Sequence, residues 1–364
     1  MERIQQTLVW DENELKNSLS ALSLLTDSFC VFDIETTGLS PQVSSLYLLG
    51  VAYMENNRLT LIQWFADDYT SEKEILREFA KTISSFSTVV HYNGSTFDIP
   101  YLEKKYAAHH LPSPFENKSS LDIYRRLNKQ KHWFEVPNLK LTTAETLVHF
   151  NRHDTFTGKE CIKLYTDFMQ KKYFKDEDSL RIKKELLLHN HDDILGTLLC
   201  SQLLPFVQYT PVNPSYTQTE DSFVLTDFVQ GVFPLSLNIK NADISCSFQE
   251  SAIRIEIPLF EGTLYHFFDD YKNYYYLPDE DMAVHKSVGI YVDASHRQKA
   301  TASNCYVKKT GTFLPLPKKL TWNQFSLFKK DKKDAVCYLD LEDKSLTFTR
   351  EMLVELITKS RVVL

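Results

Sequence analysis

Phe29-Cys30-Val31-Phe32-Asp33-Ile34-Glu35-Thr36-Thr37-Gly38 is the stretch on which the fold turns. It opens as a short apolar run of aromatic and β-branched residues, which predicts a strand, and it closes on a polar turn. On a strand, side chains alternate, so Asp33 and Glu35 project from one side. Two carboxylates held together repel unless a cation lies between them, and a hard divalent ion is the natural occupant. The plainer reading of the same D-x-E is a strand running into a turn, because such short patterns also arise by chance.

Working outward, Leu46 to Tyr53 and Leu59 to Phe65 repeat the strand character. Ile75, Leu76, Phe79 and Ile83 recur at helical spacing within Glu72 to Phe86, and Thr88 to His91 reads as a fourth strand entering a turn at Asn93-Gly94. Helical patterns then dominate to Leu204. Strands followed by helix, strand and helices imply an α/β layer fold with a central sheet. The segment Thr210 to Thr217 holds two prolines among polar residues, so the chain divides into a domain over 1–209, a linker over 210–219 and a second domain over 220–364. Alternation in Ser245 to Phe248 and Ile253 to Ile257 predicts antiparallel strands, making the second domain β-rich.

Composition narrows the function. The 364 residues are 43% apolar and 24% charged, a globular balance in a chain long enough for two domains. Only 9 glycines leave little room for a glycine-rich phosphate cradle. The start Met1-Glu2-Arg3-Ile4-Gln5-Gln6 is not that of a leader and no apolar run would span a membrane, so a cytoplasmic protein without a membrane partner is expected. Six scattered cysteines form no C-x-x-C pair and are read as reduced thiols. The net charge of −7 hides an asymmetry, for residues 286–333 carry eleven Lys or Arg against two Asp. That split predicts a cationic surface for a polyanion, with Lys308 and Lys309 as backbone contacts, beside an acidic region able to hold cations. A solvated basic face is the competing reading.

Two further clusters carry chemistry. Asn93-Gly94-Ser95-Thr96-Phe97-Asp98 lies at a strand-to-helix turn, where capping alone would account for Asp98. Glu185, His189 and Asp193 are spaced four apart and share a helix face, while His191 and Asp192 point elsewhere. His189 is suited to proton transfer, although an ordinary hydrogen-bonded histidine would look the same.

Together the clusters resemble the DEDD superfamily of ribonuclease H-like 3′→5′ exonucleases, whose motifs are a strand D-x-E, a turn N-x-x-x-F-D and a helical Y-x-x-x-D or H-x-x-x-x-D. Ser120 to Arg125, Asn138-Leu139-Lys140, Glu145, Arg152 and Asp154 to Gly158 add a likeness to the bacterial YprB-like branch, over residues 25–205. The resemblance implies a ribonuclease H-like fold and phosphodiester hydrolysis with two divalent cations, Mg²⁺ or Mn²⁺. Asp33 would bridge both ions, Glu35 and Asp193 would complete the first, and Asp98 would hold the second. His189 stands four before Asp193, where the family has tyrosine, and either replaces it in positioning and helping to deprotonate water or marks that position as degenerate. Thr36 and Asn93 are expected to touch nucleic acid. DNA rather than RNA is the expected partner, in repair or processing, with a helicase as a candidate second partner. A non-catalytic nucleic-acid-binding adaptor and a structure-specific endonuclease are the alternatives.

The second domain has eight aromatic residues between Phe260 and Tyr276. They are read first as the buried face of an antiparallel sheet, and second as a stacking platform for single strands.

Overall fold

The computed structural model describes all residues except 9–11, 24, 57, 132–133, 135, 229–235, 242–243, 319 and 364. The chain divides into two compact units, Met1–Gln208 and Tyr209–Leu364. Lys319 of the basic segment lies outside the described residues.

The first unit is built on β1 (Glu2–Leu8), α1 (Glu12–Ser23), β2 (Phe29–Thr36), β3 (Leu46–Glu55), β4 (Arg58–Phe65), α2 (Glu72–Ile83), β5 (Thr88–His91), α3 (Asp98–Ala108) and β6 (Ser119–Asp122). Helices α4 (Ile123–Asn128), α5 (Leu141–Leu147), α6 (Gly158–Tyr173), α7 (Asp178–Cys200) and α8 (Leu204–Gln208) follow. The six strands form one sheet in the order β1-β4-β3-β2-β5-β6. From β1 to β2 neighbours are antiparallel, and β2, β5 and β6 are parallel, so the sheet is mixed. Leu46 to Val51 are buried without alternation, which requires cover on both faces of the sheet.

Strands β1 and β6 were not expected. Strand β1 is polar and mostly exposed, so its ladder to β4, together with the packing of Ile4 on the core, holds it. Strand β6 opens on two exposed serines, so unlike the equally short but apolar β5 it offers no run of strand-forming residues.

The second unit begins with a five-stranded antiparallel sheet of β7 (Ser215–Gln218), β8 (Ser222–Phe228), β9 (Leu237–Asn241), β10 (Ile244–Gln249) and β11 (Ala252–Pro258). Strand β11 alternates buried and open positions, the predicted one-sided pattern. Next come β12 (Phe260–Phe267), β13 (Tyr274–Leu277), β14 (Met282–His285), α9 (Lys286–Gly289), β15 (Gln298–Lys299), β16 (Tyr306–Pro315), β17 (Leu327–Phe328), β18 (Tyr338–Asp340) and α10 (Arg350–Val363). They supply a four-stranded sheet, β12-β16-β18-β17, and a three-stranded one, β14-β13-β15.

The segment 210–219 is not a free linker, which corrects the sequence reading. Buried Asp227 accepts hydrogen bonds from the Tyr209 hydroxyl at 2.5 Å, Val212 N at 2.8 Å and Asn213 N at 3.0 Å, and Ser215–Gln218 is an edge strand against β8. All four residues of that strand are exposed, so their polar composition imitates a linker. Among the described residues, no helix is long and apolar enough to cross a membrane.

Candidate active site

The acidic pair sits where the sheet turns from antiparallel to parallel. Asp33 pairs across the ladder with Gly50 and Glu35 with Leu48, and the register shifts between Glu35 and Thr36. Such a bulge re-aims side chains at the end of a strand. Gly50 is required for close packing, since a Cβ there would lie 2.2 Å from Asn190 Oδ1 and 2.4 Å from Ile194 Cδ1. Helix α7 therefore lies close over β3 and carries Asn190 to the acidic pair. The Asn190 Nδ2 donates to Asp33 Oδ2 at 2.9 Å, and its Oδ1 accepts from Gln63 Nε2 at 2.9 Å.

Asp33, Glu35, Asp98, His189 and Asp193 come together. Among the described residues, Glu35, His189 and Asp193 each offer a ligand atom within 4.8 Å of the others. Burial pushes the Asp33 carboxyl well above its usual range, helped by the charges of Asp193, Asp98 and Glu35 and opposed by the Asn190 amide. Burial likewise pushes Glu35 up to about 8; the His189 charge opposes this, and Asp193 and Asp98 add to it. Asp98, first residue of α3, is pushed up to about 7 by burial, against its own backbone N–H, with Asp193 and Asp122 adding to the rise.

His189 is buried, with Nδ1 2.6 Å from Asp154 Oδ2, Nε2 3.3 Å from Glu35 Oε1 and Nε2 3.9 Å from Asp193 Oδ2. Burial works against its charge, but the hydrogen bonds to Asp154 and Cys161 and the charges of Glu35 and Asp193 outweigh it, pushing the imidazole up to about 12. These neighbours favour the charged form of the ring. Arg152 adds a guanidinium: its Nε lies 3.0 Å from Glu145 Oε2, its Nη1 3.6 Å from Asp154 Oδ2, and its Nη2 donates to Asp193. A Cβ on Gly196 of α7 would lie 2.0 Å from Glu145 Oε1, so the glycine leaves room for Glu145 against that helix.

Asp192, on the other side of α7, has a structural task. Its Oδ2 accepts from His153 N at 2.7 Å and Asp154 N at 2.8 Å, which fastens the loop that presents Arg152 and Asp154. Asp122, at the end of β6, does the same for the second turn, accepting from Asn93 N at 3.0 Å and Ser95 N at 3.2 Å. Asn93 itself is exposed, with φ of 61°, and its side chain accepts from Thr96 Oγ1. Thr36 is buried and donates to the Gly38 carbonyl at 2.9 Å. In the second unit, Lys308 pairs with Asp281 at 2.9 Å and Lys309 with Asp340 at 2.5 Å and Glu342 at 3.6 Å, so both are engaged by carboxylates of their own unit.

Residues 30–204 match the RNase_H superfamily. With the mixed sheet and its helices, that match makes the first unit a ribonuclease H-like domain, followed by β-rich sheets. A solved structure similar to this chain is a moderately thermophilic Exonuclease I from Methylocaldum szegediense. It is 12% identical, with a TM-score of 0.33, and the match covers 55% of this chain and 54% of that one, about half its length. So slight a likeness carries no argument about activity. Among curated proteins none matches this chain.

Proposed function

We propose that the first unit is a divalent-metal-dependent 3′→5′ exonuclease acting on nucleic acid, single-stranded DNA in the first place. The ribonuclease H-like domain supports a nuclease, and nucleic acid follows as its partner. One observation carries the finer reading: four carboxylates from β2, α3 and α7 converge, and burial with mutual repulsion holds Asp33, Glu35 and Asp98 toward their protonated forms. A group of acids so placed gains by exchanging protons for a hard cation, and its oxygen donors suit Mg²⁺ or Mn²⁺. Asp33, Glu35, Asp98 and Asp193 would hold the ions. When bound, two such ions supply hydroxide near neutral pH and charge relief at the leaving oxygen. The chain's own groups do the rest. Asn190 fixes the Asp33 carboxylate, Asp154 orients His189 through Nδ1, and Nε2 of that imidazole faces Glu35 and Asp193, where it would position water.

The rival reading is a non-catalytic adaptor, favoured by a specific observation. Arg152 and His189 already offset Asp193 and Glu35 with positive charge, as in a site that has lost its need for cations. Product mapping separates the two on 3′- and 5′-labelled DNA and RNA strands, with Mg²⁺ or Mn²⁺ and with EDTA. Mononucleotide release from the 3′ end, abolished by EDTA, is expected. Cleavage of a circular strand would make the enzyme an endonuclease, and binding without cleavage would leave the adaptor.

A further inference from the structure

The second unit carries a cleft of about 640 Å³, within the range of roughly 300–1,000 Å³ for ligand sites. Its floor is aromatic. Tyr265 and Phe267 stand two apart on β12 and share one face, and Tyr306 on β16 pairs directly with Phe267. Ring centroids lie 5.0 Å apart for Tyr265 and Tyr306 and 5.6 Å for Phe267 and Tyr306. None of the three rings is fully buried, whereas Leu264, the residue before Tyr265 on β12, packs with Phe313, Phe328 and Tyr338 in the core. The aromatic run is thus divided between core and cleft. Tyr306 is fixed by its hydroxyl, which donates to Asp281 at 2.5 Å.

The rim is basic. Lys330, Lys332 and Lys333 line it, with Asp331 as the carboxylate among the described lining residues. Lys332 Nζ donates to the carbonyl of Ala302, which also lines the cleft, and so ties the lysine loop to that segment.

We propose that this cleft binds single-stranded nucleic acid, with a base against the Tyr265–Phe267–Tyr306 floor and neighbouring phosphates on Lys332 and Lys333. Every base has a π face that stacks on aromatic side chains, and lysines track the backbone beside it. A duplex keeps its bases stacked inside and presents none to a concave floor. An acidic peptide would satisfy the lysines and leave the rings without a flat partner. The choice of nucleic acid among polyanions rests on the nuclease reading of the first unit.

The test is anisotropy of a fluorescein-labelled oligothymidine with the full chain in EDTA, where nothing is hydrolysed. Tyr265→Leu should weaken binding about 5- to 100-fold, Tyr265→Trp should restore it, and an abasic strand of equal length should bind both variants alike. Lys333→Glu, on an exposed side chain, should weaken both strands and flatten the salt dependence by about 0.7 in slope per lost phosphate contact. Wild-type affinity in a folded Tyr265→Leu or in Lys333→Glu overturns the proposal. So does an abasic strand binding as tightly as oligothymidine, or displacement by polyglutamate or thymidine monophosphate as effective as by unlabelled strand. Hydrolysis is scored separately with metal present, so loss of the nuclease reading and loss of the cleft are distinct results.

Discussion

His189 and His191 are two positions apart on α7 and have opposite surroundings. His189 is buried between Asp154 and Glu35, while His191 is partly open and bonds its neighbour Asp192. His189→Ala should lower kcat by about 10²-fold, because the water it positions is displaced, and His191→Ala far less; equal losses would sink the face assignment. Of the three residues that sequence spacing placed on one face of this helix, His189 and Asp193 meet the acidic pair, whereas Glu185 pairs with Arg181. Asn190 was illegible beside them, because its value lies in a bond to Asp33 across 157 residues, and Gln63 reaches the site through Asn190 while also donating to the Leu187 carbonyl. Arg152 was visible as a familiar residue, but its links to Glu145, Asp154 and Asp193 depend on packing that no spacing encodes. His91, 1% exposed at the end of β5, supports a pH prediction. Burial lowers its imidazole to about 4, against the pull of Asp122, from about 6.5 in an unfolded chain. The folded state therefore binds fewer protons in that window, and the contribution is present above pH 6.5 and lost as pH falls toward 4. Urea unfolding at pH 7 and 4.5 should show wild type losing about 2–3 kcal/mol more than His91→Gln, and parallel losses would refute it.

At the scale of elements, the contact between α7 and β3 positions the site. Gly50 sets that distance, because any side chain there meets Asn190 and Ile194. Gly50→Ala should cost about 1–3 kcal/mol in denaturant unfolding, and hydrolysis should fall further than that loss of stability explains, because Asn190 and Asp193 move together with the helix. A variant that is destabilised and fully active would show that the site tolerates the shift. Elements with a strong period were legible: β2, β3, β4 and α2 stand within a few residues of their expected bounds, with α2 ending at Ile83 rather than Phe86. The missed strands carry no such signal, one being polar at the sheet edge and the other a Ser-Ser-Leu-Asp stretch without an apolar run.

For the whole molecule, cation binding should register as stability. Anything bound by the folded state alone raises the unfolding free energy, by about 2.7 kcal/mol at a hundred times Kd. Mn²⁺ or Mg²⁺ should therefore raise Tm in wild type and not in Asp33→Asn, while the metal-free variant should be no less stable, since it loses a carboxyl that burial and three neighbouring acids disfavour. A rise shared by both proteins would locate the cation elsewhere. The order of the chain gives this arrangement a consequence during synthesis. Domains form as they leave the ribosome, N-terminal part first, and contacts distant in sequence close late. Asp33, Glu35 and Asp98 emerge early, but α7, with Asn190, His189 and Asp193, is the last long helix of its unit. On the proposed mechanism, a nascent chain that stops before Asp178 has three of the acids and lacks the fourth, so it should stay inert until its domain is whole.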